Sequence, residues 1–281
     1  MDENERLLWL LGRFLNGEPV IPAAWVAQLA DGGVSQEEAF ALLLGSLLGL
    51  DAMGADRAFY ARFLRPSVRQ LDSAAYENDP FLLSIRVPQA QEGGWEFCQR
   101  RYAPFEALPC GDFVAQSDGR VLPQIGFFPR GFSYPAALES GREWMSVTPN
   151  EIETMRAPIA RAHGRVLTFG LGIGYFAFMA ASKADVESVT VVEREAAVIR
   201  LFTRLLLPQF PCAQKIRIIC GDAFHFAKDP QALAPFDFAF TDLWHDVSDG
   251  LPAWRRMRAL LHRRPQLEAM YWIEDTMRYY E

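Results

Sequence analysis

RVLTFGLGIGYFAF, residues 165–178, is the stretch whose reading decides the fold. The apolar run from Val166 to Gly170 is too short for a helix and long enough for a buried parallel strand. Gly170, Gly172 and Gly174 follow at alternate positions, and Tyr175 to Ala181 then reads as the first turns of a buried helix. Strand, glycine loop and helix together make the first half of a nucleotide-binding βαβ unit. There the missing side chains let backbone approach a ligand, and the start of the helix at Tyr175 faces it. The same glycines would also suit a bare tight turn in an apolar protein, so the residues that follow must decide.

Val189 to Val192 is a β-branched run ending in Glu193, at the distance past the glycines where a carboxylate at the end of a second strand accepts hydrogen bonds from ribose hydroxyls. Two further short runs, IRIIC at 216–220 and FDFAF at 236–240, end at Gly221-Asp222 and Thr241-Asp242. In an open α/β sheet the ligand lies outside the carboxyl ends of the strands, so Glu193, Asp222 and Asp242 are expected to face one crevice.

With these segments in place the chain resembles the class I S-adenosylmethionine-dependent methyltransferases, in the branch that includes spermidine synthase, over roughly residues 145–275. By that resemblance VLTFGLGIG corresponds to the glycine motif that holds the methionine part of the cofactor. VVERE corresponds to the ribose-binding segment, with Glu193 followed by Arg194, and GDAFHF to the adenine-contacting segment through Asp222 and Ala223. FDFAFTDLWHD corresponds to the strand whose end carries acceptor-side residues, from Asp242 onward. Three departures matter. The acid that most such enzymes carry two residues before the first glycine is Thr168 here, and the aspartate by which spermidine synthases select decarboxylated cofactor is Ile173, which can neither accept a hydrogen bond nor carry charge. The second acid of those enzymes, three residues after Asp242, is replaced by His245.

Methyl transfer from a sulfonium needs alignment and, for a protonated acceptor, a base. Asp242 is expected to orient an amine or hydroxyl acceptor, His245 to serve as base, and Trp244 to form one wall of the pocket or meet a cation through its ring. Surface placement of His245 and core packing of Trp244 are the plain alternatives. An aminopropyltransferase, or a cofactor-binding protein without catalysis, stands beside the methyltransferase reading. The acceptor, a small molecule or a protein side chain, matches no motif.

The whole of 281 residues suggests a helical N-terminal domain (1–78), a β-rich segment (79–147) and a Rossmann-like α/β domain (148–281). Leucines at helical spacing over 4–16, helices near 22–30 and 55–75, and a Ser35-Gln-Glu-Glu38 capping box before 35–50 predict a bundle. Its leucine stripe reads first as core, and a homodimer through these helices is the expectation held beside that. Aromatic runs punctuated by Gly and Pro from Pro80 to Met145, with Ser117-Asp118-Gly119 as a hairpin turn, predict antiparallel strands. Thr148-Pro-Asn-Glu151 predicts a helix starting at Pro149 under a capping box and ending at His163-Gly164, either a linker helix or one that leads into the first strand with Trp144 to Thr148 near the mouth of the cofactor cleft. A helix from about Gly250 to His262 and a last strand near Glu268 to Glu274 are expected to complete the chain.

The charge of −7 is carried by the front half: residues 1–150 hold 12 Lys plus Arg against 19 Asp plus Glu. No broad basic field is left for nucleic acid, and no [DN]-P-P-[YF] motif for base methylation. Cys98, Cys110, Cys212 and Cys220 lack paired spacing, so reduced, buried thiols are expected rather than disulfides or a metal site. The N-terminal MDENER lacks the basic flank of a signal peptide and the longest strongly apolar run, Ala39 to Leu50, is too short to span a bilayer. A cytoplasmic location follows as an expectation.

Overall fold

The computed structural model, which describes residues 1–281, builds the predicted glycine-loop unit around five parallel strands. These are β1 (Gly164–Phe169), β2 (Val186–Glu193), β3 (Ile216–Cys220), β4 (Phe238–Thr241) and β5 (Glu268–Tyr271), in the order β3-β2-β1-β4-β5. Every pair is parallel, so all five carboxyl ends lie along one edge. Burial follows position. Central β1 is apolar or closed throughout its last four residues, Val166 to Phe169, whereas edge strand β3 alternates between half-buried and exposed. Cys220, expected to be buried, is therefore exposed at the end of β3; all four cysteines are free.

The connecting helices are α1 (Pro149–Arg161), α2 (Tyr175–Ala181), α3 (Ala196–Leu205), α4 (Ala223–Ala227), α5 (Val247–Leu261) and α6 (Glu274–Tyr279). Helix α1 runs against the strand direction. Thr154 in its first half accepts from Trp272 just past the end of β5, and Arg161 in its last turn pairs with Glu268 at the start of β5. The N-terminus of α1 therefore lies at the carboxyl edge of the sheet. Helix α2 is packed on all sides: Phe176 stacks on Phe240 of β4 at 4.3 Å, and Phe178 and Tyr175 meet Phe81 edge-on. Helix α5 starts three residues earlier than expected because Asp246 and Asp249 form a capping box. The last strand ends at Tyr271 rather than near Glu274, and a helix not expected from the sequence, α6, starts after Ile273, a non-glycine residue in left-handed conformation.

Residues 77–100 and 134–281 form one compact unit; residues 1–76 and 101–133 form the other. The segment 79–147 thus contributes to both. It supplies the short helix Pro80–Ser84 to the α/β unit, and a four-stranded sheet in the order Ala90–Glu92, Trp95–Tyr102, Phe132–Glu139, Arg142–Ser146, most of whose residues fall in that unit. This sheet is separate from the parallel one, which stops at five strands. Arg200 and Arg204 of α3 pair with Glu92 and tie the first hairpin down.

The other unit holds helices Glu3–Leu15, Ala23–Asp31 and Gln36–Leu47, whose Leu7, Leu11, Val26, Phe40 and Leu44 share a core with Phe105 and Phe127. Ser35 caps the third helix, but Glu38 does not return the bond: it accepts from Tyr60 and Arg65 instead. The helix expected over 55–75 is broken. A π-turn at Tyr60–Leu64 is followed by Pro66, and by Val68 the chain is a strand paired with Ile125–Phe127. The expected hairpin is present, Val114–Ala115 pairing with Val121–Leu122 around a left-handed Gly119.

Candidate functional site

Gly170, Gly172 and Gly174 all have left-handed φ, from +51° to +97°. A side chain at any of them would be strained, and each has a neighbour in the place of a Cβ. At Gly170 that neighbour is the carbonyl of Asp242, at Gly174 the Phe202 ring, and at Gly172 the thioether of Met145. The loop begins between β1 and β4, where the strand order reverses, which is the crevice in which open α/β sheets bind ligands. Gly170 N–H still bonds to Val192 O at 3.0 Å, whereas the N–H groups of Gly172 and Ile173 have no backbone acceptor.

Glu193 ends β2 and turns its carboxylate under this loop. One oxygen accepts from Leu171 N–H at 3.0 Å and the other from Glu195 N–H at 2.8 Å. Each oxygen keeps a lone pair for another donor. Burial raises the carboxyl above its usual range, and these backbone bonds pull the other way. Asp242 follows β4 with its N–H on Phe169 O at 3.0 Å. Its carboxyl is pushed up to about 7, by burial first and then by the charge on Glu193.

A third carboxyl joins them. Glu151, read from sequence as the reciprocal half of a capping box, does not cap α1, and Thr148 makes no side-chain cap either. Glu151 instead faces Asp242, and burial together with the charges of Asp242 and Glu143 raises it well above the usual range. Neither Glu151 nor Asp242 has a hydrogen bond or a nearby cation to offset burial. Glu151 thus feels the charge of Asp242 and Asp242 that of Glu193, three half-buried acids with a marked deficit of positive charge. Such a group of acids suits a cation, and a carboxyl that titrates near neutrality can hold or release a proton there.

The other expected residues are placed differently. Tyr175 is 2% exposed, its ring against Phe81 and its hydroxyl donating to Asp79 at 3.0 Å; only its backbone belongs to the loop. Arg194 points to solvent and pairs with Glu195. Asp222 is exposed and caps α4 through His225 N–H at 2.7 Å, with Ala223 buried behind it. Trp244 is a core residue rather than a pocket wall: it is 4% exposed, packs over Gly250, and its indole N–H has no partner. His245 has both ring nitrogens engaged, Nε2 with Glu143 O at 3.0 Å and Nδ1 with Arg142 and Asp246 at 3.4 Å each. That makes it a clip between the segment after β4 and the strand Arg142–Ser146. Glu151 was not among the expected site residues, and Met145 was expected near the cleft mouth only as one of the stretch Trp144–Thr148. A glutamate three residues into a helix carries the same signal whether it caps or turns inward, and nothing in the sequence singles out Met145 within its stretch.

No group of three or more His, Cys, Asp or Glu is arranged to hold a metal ion, and no helix is long and apolar enough to cross a membrane. No protein-family model matches the chain, and no curated protein does. Among solved structures it is similar to a Klebsiella pneumoniae protein described as an O-methyltransferase candidate, at 21% identity and TM-score 0.27, over 33% of this chain and 41% of that one. It is also similar to a precorrin 8w decarboxylase from Methanobacterium thermoautotrophicum, at 18% identity and TM-score 0.32, over 44% of this chain and 62% of that one. The chain thus spans less than two thirds of either protein, and likeness of this extent assigns no activity.

Proposed function

We propose that the α/β unit binds S-adenosylmethionine along the carboxyl ends of β1, β2 and β3 and transfers its methyl group to an acceptor held beside Asp242. The observation that carries this is the bond from Leu171 N–H to Glu193: the ribose-type acid and the left-handed glycine loop form one hydrogen-bonded unit at the switch point of the sheet. The residues fit the cofactor. Glu193 retains acceptor capacity for ribose hydroxyls, the N–H groups of Gly172 and Ile173 have no backbone acceptor and so suit a carboxylate, and the three acids favour a sulfonium charge. When bound, the cofactor supplies an activated methyl group. Asp242, near neutrality, takes the proton of an amine or hydroxyl acceptor, while Glu151 beside it holds a cationic acceptor in place. His245 is assigned to positioning, since its nitrogens already clip Glu143 and Arg142.

A second reading is favoured by one observation. Ile173, fully buried, offers no acid for an aminopropyl amine, but Glu151 and Asp242 are unneutralised carboxyls beside each other, which also suits decarboxylated cofactor and a polyamine-type acceptor. Competition binding between the full and decarboxylated cofactors separates the two: preference for the decarboxylated form selects aminopropyl transfer.

The test of the site itself is calorimetry with S-adenosylhomocysteine. Glu193→Gln puts an N–H₂ where an acceptor faces Leu171 or Glu195, and the loss of charged hydrogen bonds should weaken binding by roughly ten- to hundredfold. A wild type that fails to bind at millimolar concentration, or that binds NAD more tightly, would overturn the reading.

A further inference from the structure

The strand Arg142–Ser146 does more than complete an antiparallel sheet. Its pairing with Phe132–Glu139 slips between Ala137 and Leu138: Glu143 faces Leu138 and Met145 faces Ala137, leaving Trp144 as an extra residue. A bulge of this kind bends a strand and re-aims its side chains. Here Trp144 points toward His245, with ring centroids 6.0 Å apart, and Met145 lays its sulfur on Gly172, in the place where a Cβ would stand. The bulged strand is fastened at the same place, since His245 Nε2 bonds to Glu143 O at 3.0 Å and Arg142 reaches His245 Nδ1.

We infer that Met145 is a built-in stopper of the glycine loop: its thioether covers Gly172, the bulged strand and His245 hold it there, and a ligand that takes the loop must displace it. The inference rests on the cofactor reading above and names the residue that sets its affinity. Methionine suits the role because its unbranched side chain has several rotatable bonds and moves aside without backbone rearrangement. Affinity is lowered by whatever fraction of molecules has the loop covered, so shortening residue 145 raises it.

Two measurements test this together. In a thermal-unfolding cycle, Gly172→Ala should lower the melting temperature in the wild type by several degrees and clearly less in a Met145→Ala background, because part of its cost is collision with Met145. In calorimetry with S-adenosylhomocysteine, Met145→Ala should bind about three- to tenfold more tightly than wild type, while Met145→Leu, of similar volume, stays near wild type. Equal cost of Gly172→Ala in both backgrounds overturns the contact. Coupling with unchanged or weaker binding by Met145→Ala overturns the stopper and leaves the cofactor reading standing. Absence of binding by every variant, wild type included, overturns the cofactor reading and the stopper with it.

Discussion

Asp242 is the residue at which fold and chemistry conflict most. Its carboxyl titrates at about 7 in the folded chain against a usual 3.8. Between those values the native state holds a proton that the unfolded state has lost, so this residue lowers stability progressively as pH rises from about 4 through 7. Asp242→Asn removes the effect. Urea unfolding should find the variant more stable than wild type at pH 8, by up to about 4 kcal/mol, with the difference closing toward pH 4. A variant no more stable at pH 8 would show that the carboxyl is not strained by its surroundings. Glu151 adds to the same cost, and the N-cap residue Thr148 makes no side-chain bond, so α1 lacks a cap that contributes about 1 kcal/mol in an ordinary helix. Local rules broken at one place with no structural gain are what a functional site looks like.

At the scale of the element, the loop between β1 and α2 is constrained from both sides. Gly170 is at φ +97° with the Asp242 carbonyl in the position of a Cβ, so Gly170→Ala pushes two strand ends apart as well as straining the backbone. A loss of at least about 2 kcal/mol is expected by thermal or denaturant unfolding. Gly221, the glycine at the end of edge strand β3, has open space around it and no left-handed φ. Gly221→Ala should therefore change stability by no more than about 0.5 kcal/mol. Equal effects at the two positions would mean that the close approach of β1 and β4 is not what requires glycine at 170.

For the molecule as a whole, the α/β unit is discontinuous in sequence, and its earliest residues are structural. Phe81 is fully buried against Tyr175, Phe178 and Phe210, and Asp79 receives the Tyr175 hydroxyl. A fragment starting at residue 148 keeps all five parallel strands and loses this packing, together with the strand that carries Met145. Removing one buried phenylalanine side chain alone costs about 3–5 kcal/mol, a large share of typical domain stability. The fragment 148–281 should therefore show helical far-UV circular dichroism without fixed near-UV signals, whereas 77–281 retains the segments of the unit. A well-packed, cooperatively unfolding 148–281 fragment would refute this.

What the sequence determined by itself was whatever depends on neighbours along the chain. The β-branched runs, the alternating glycines and the acids at strand ends identified the parallel unit, its glycine loop, and Glu193 and Asp242 as residues of one edge, because strand period and loop chemistry are local. Helix starts at Pro149 and at Ser35 were legible for the same reason, although in neither case does the assigned glutamate cap: Glu38 accepts from Tyr60 and Arg65, and Glu151 turns toward Asp242. Tyr175 and Trp244 lie beside the right motifs but face the core, since direction depends on what packs against them. The π-turn before Pro66, the five-stranded limit of the sheet, the division of residues 79–147 between two units, and the meeting of Glu151 and Met145 with the loop all rest on contacts between distant residues. Only tertiary structure decides those, because a carboxylate or thioether has no preference of its own for capping a helix, facing solvent or closing a cleft until the fold brings its partners within reach.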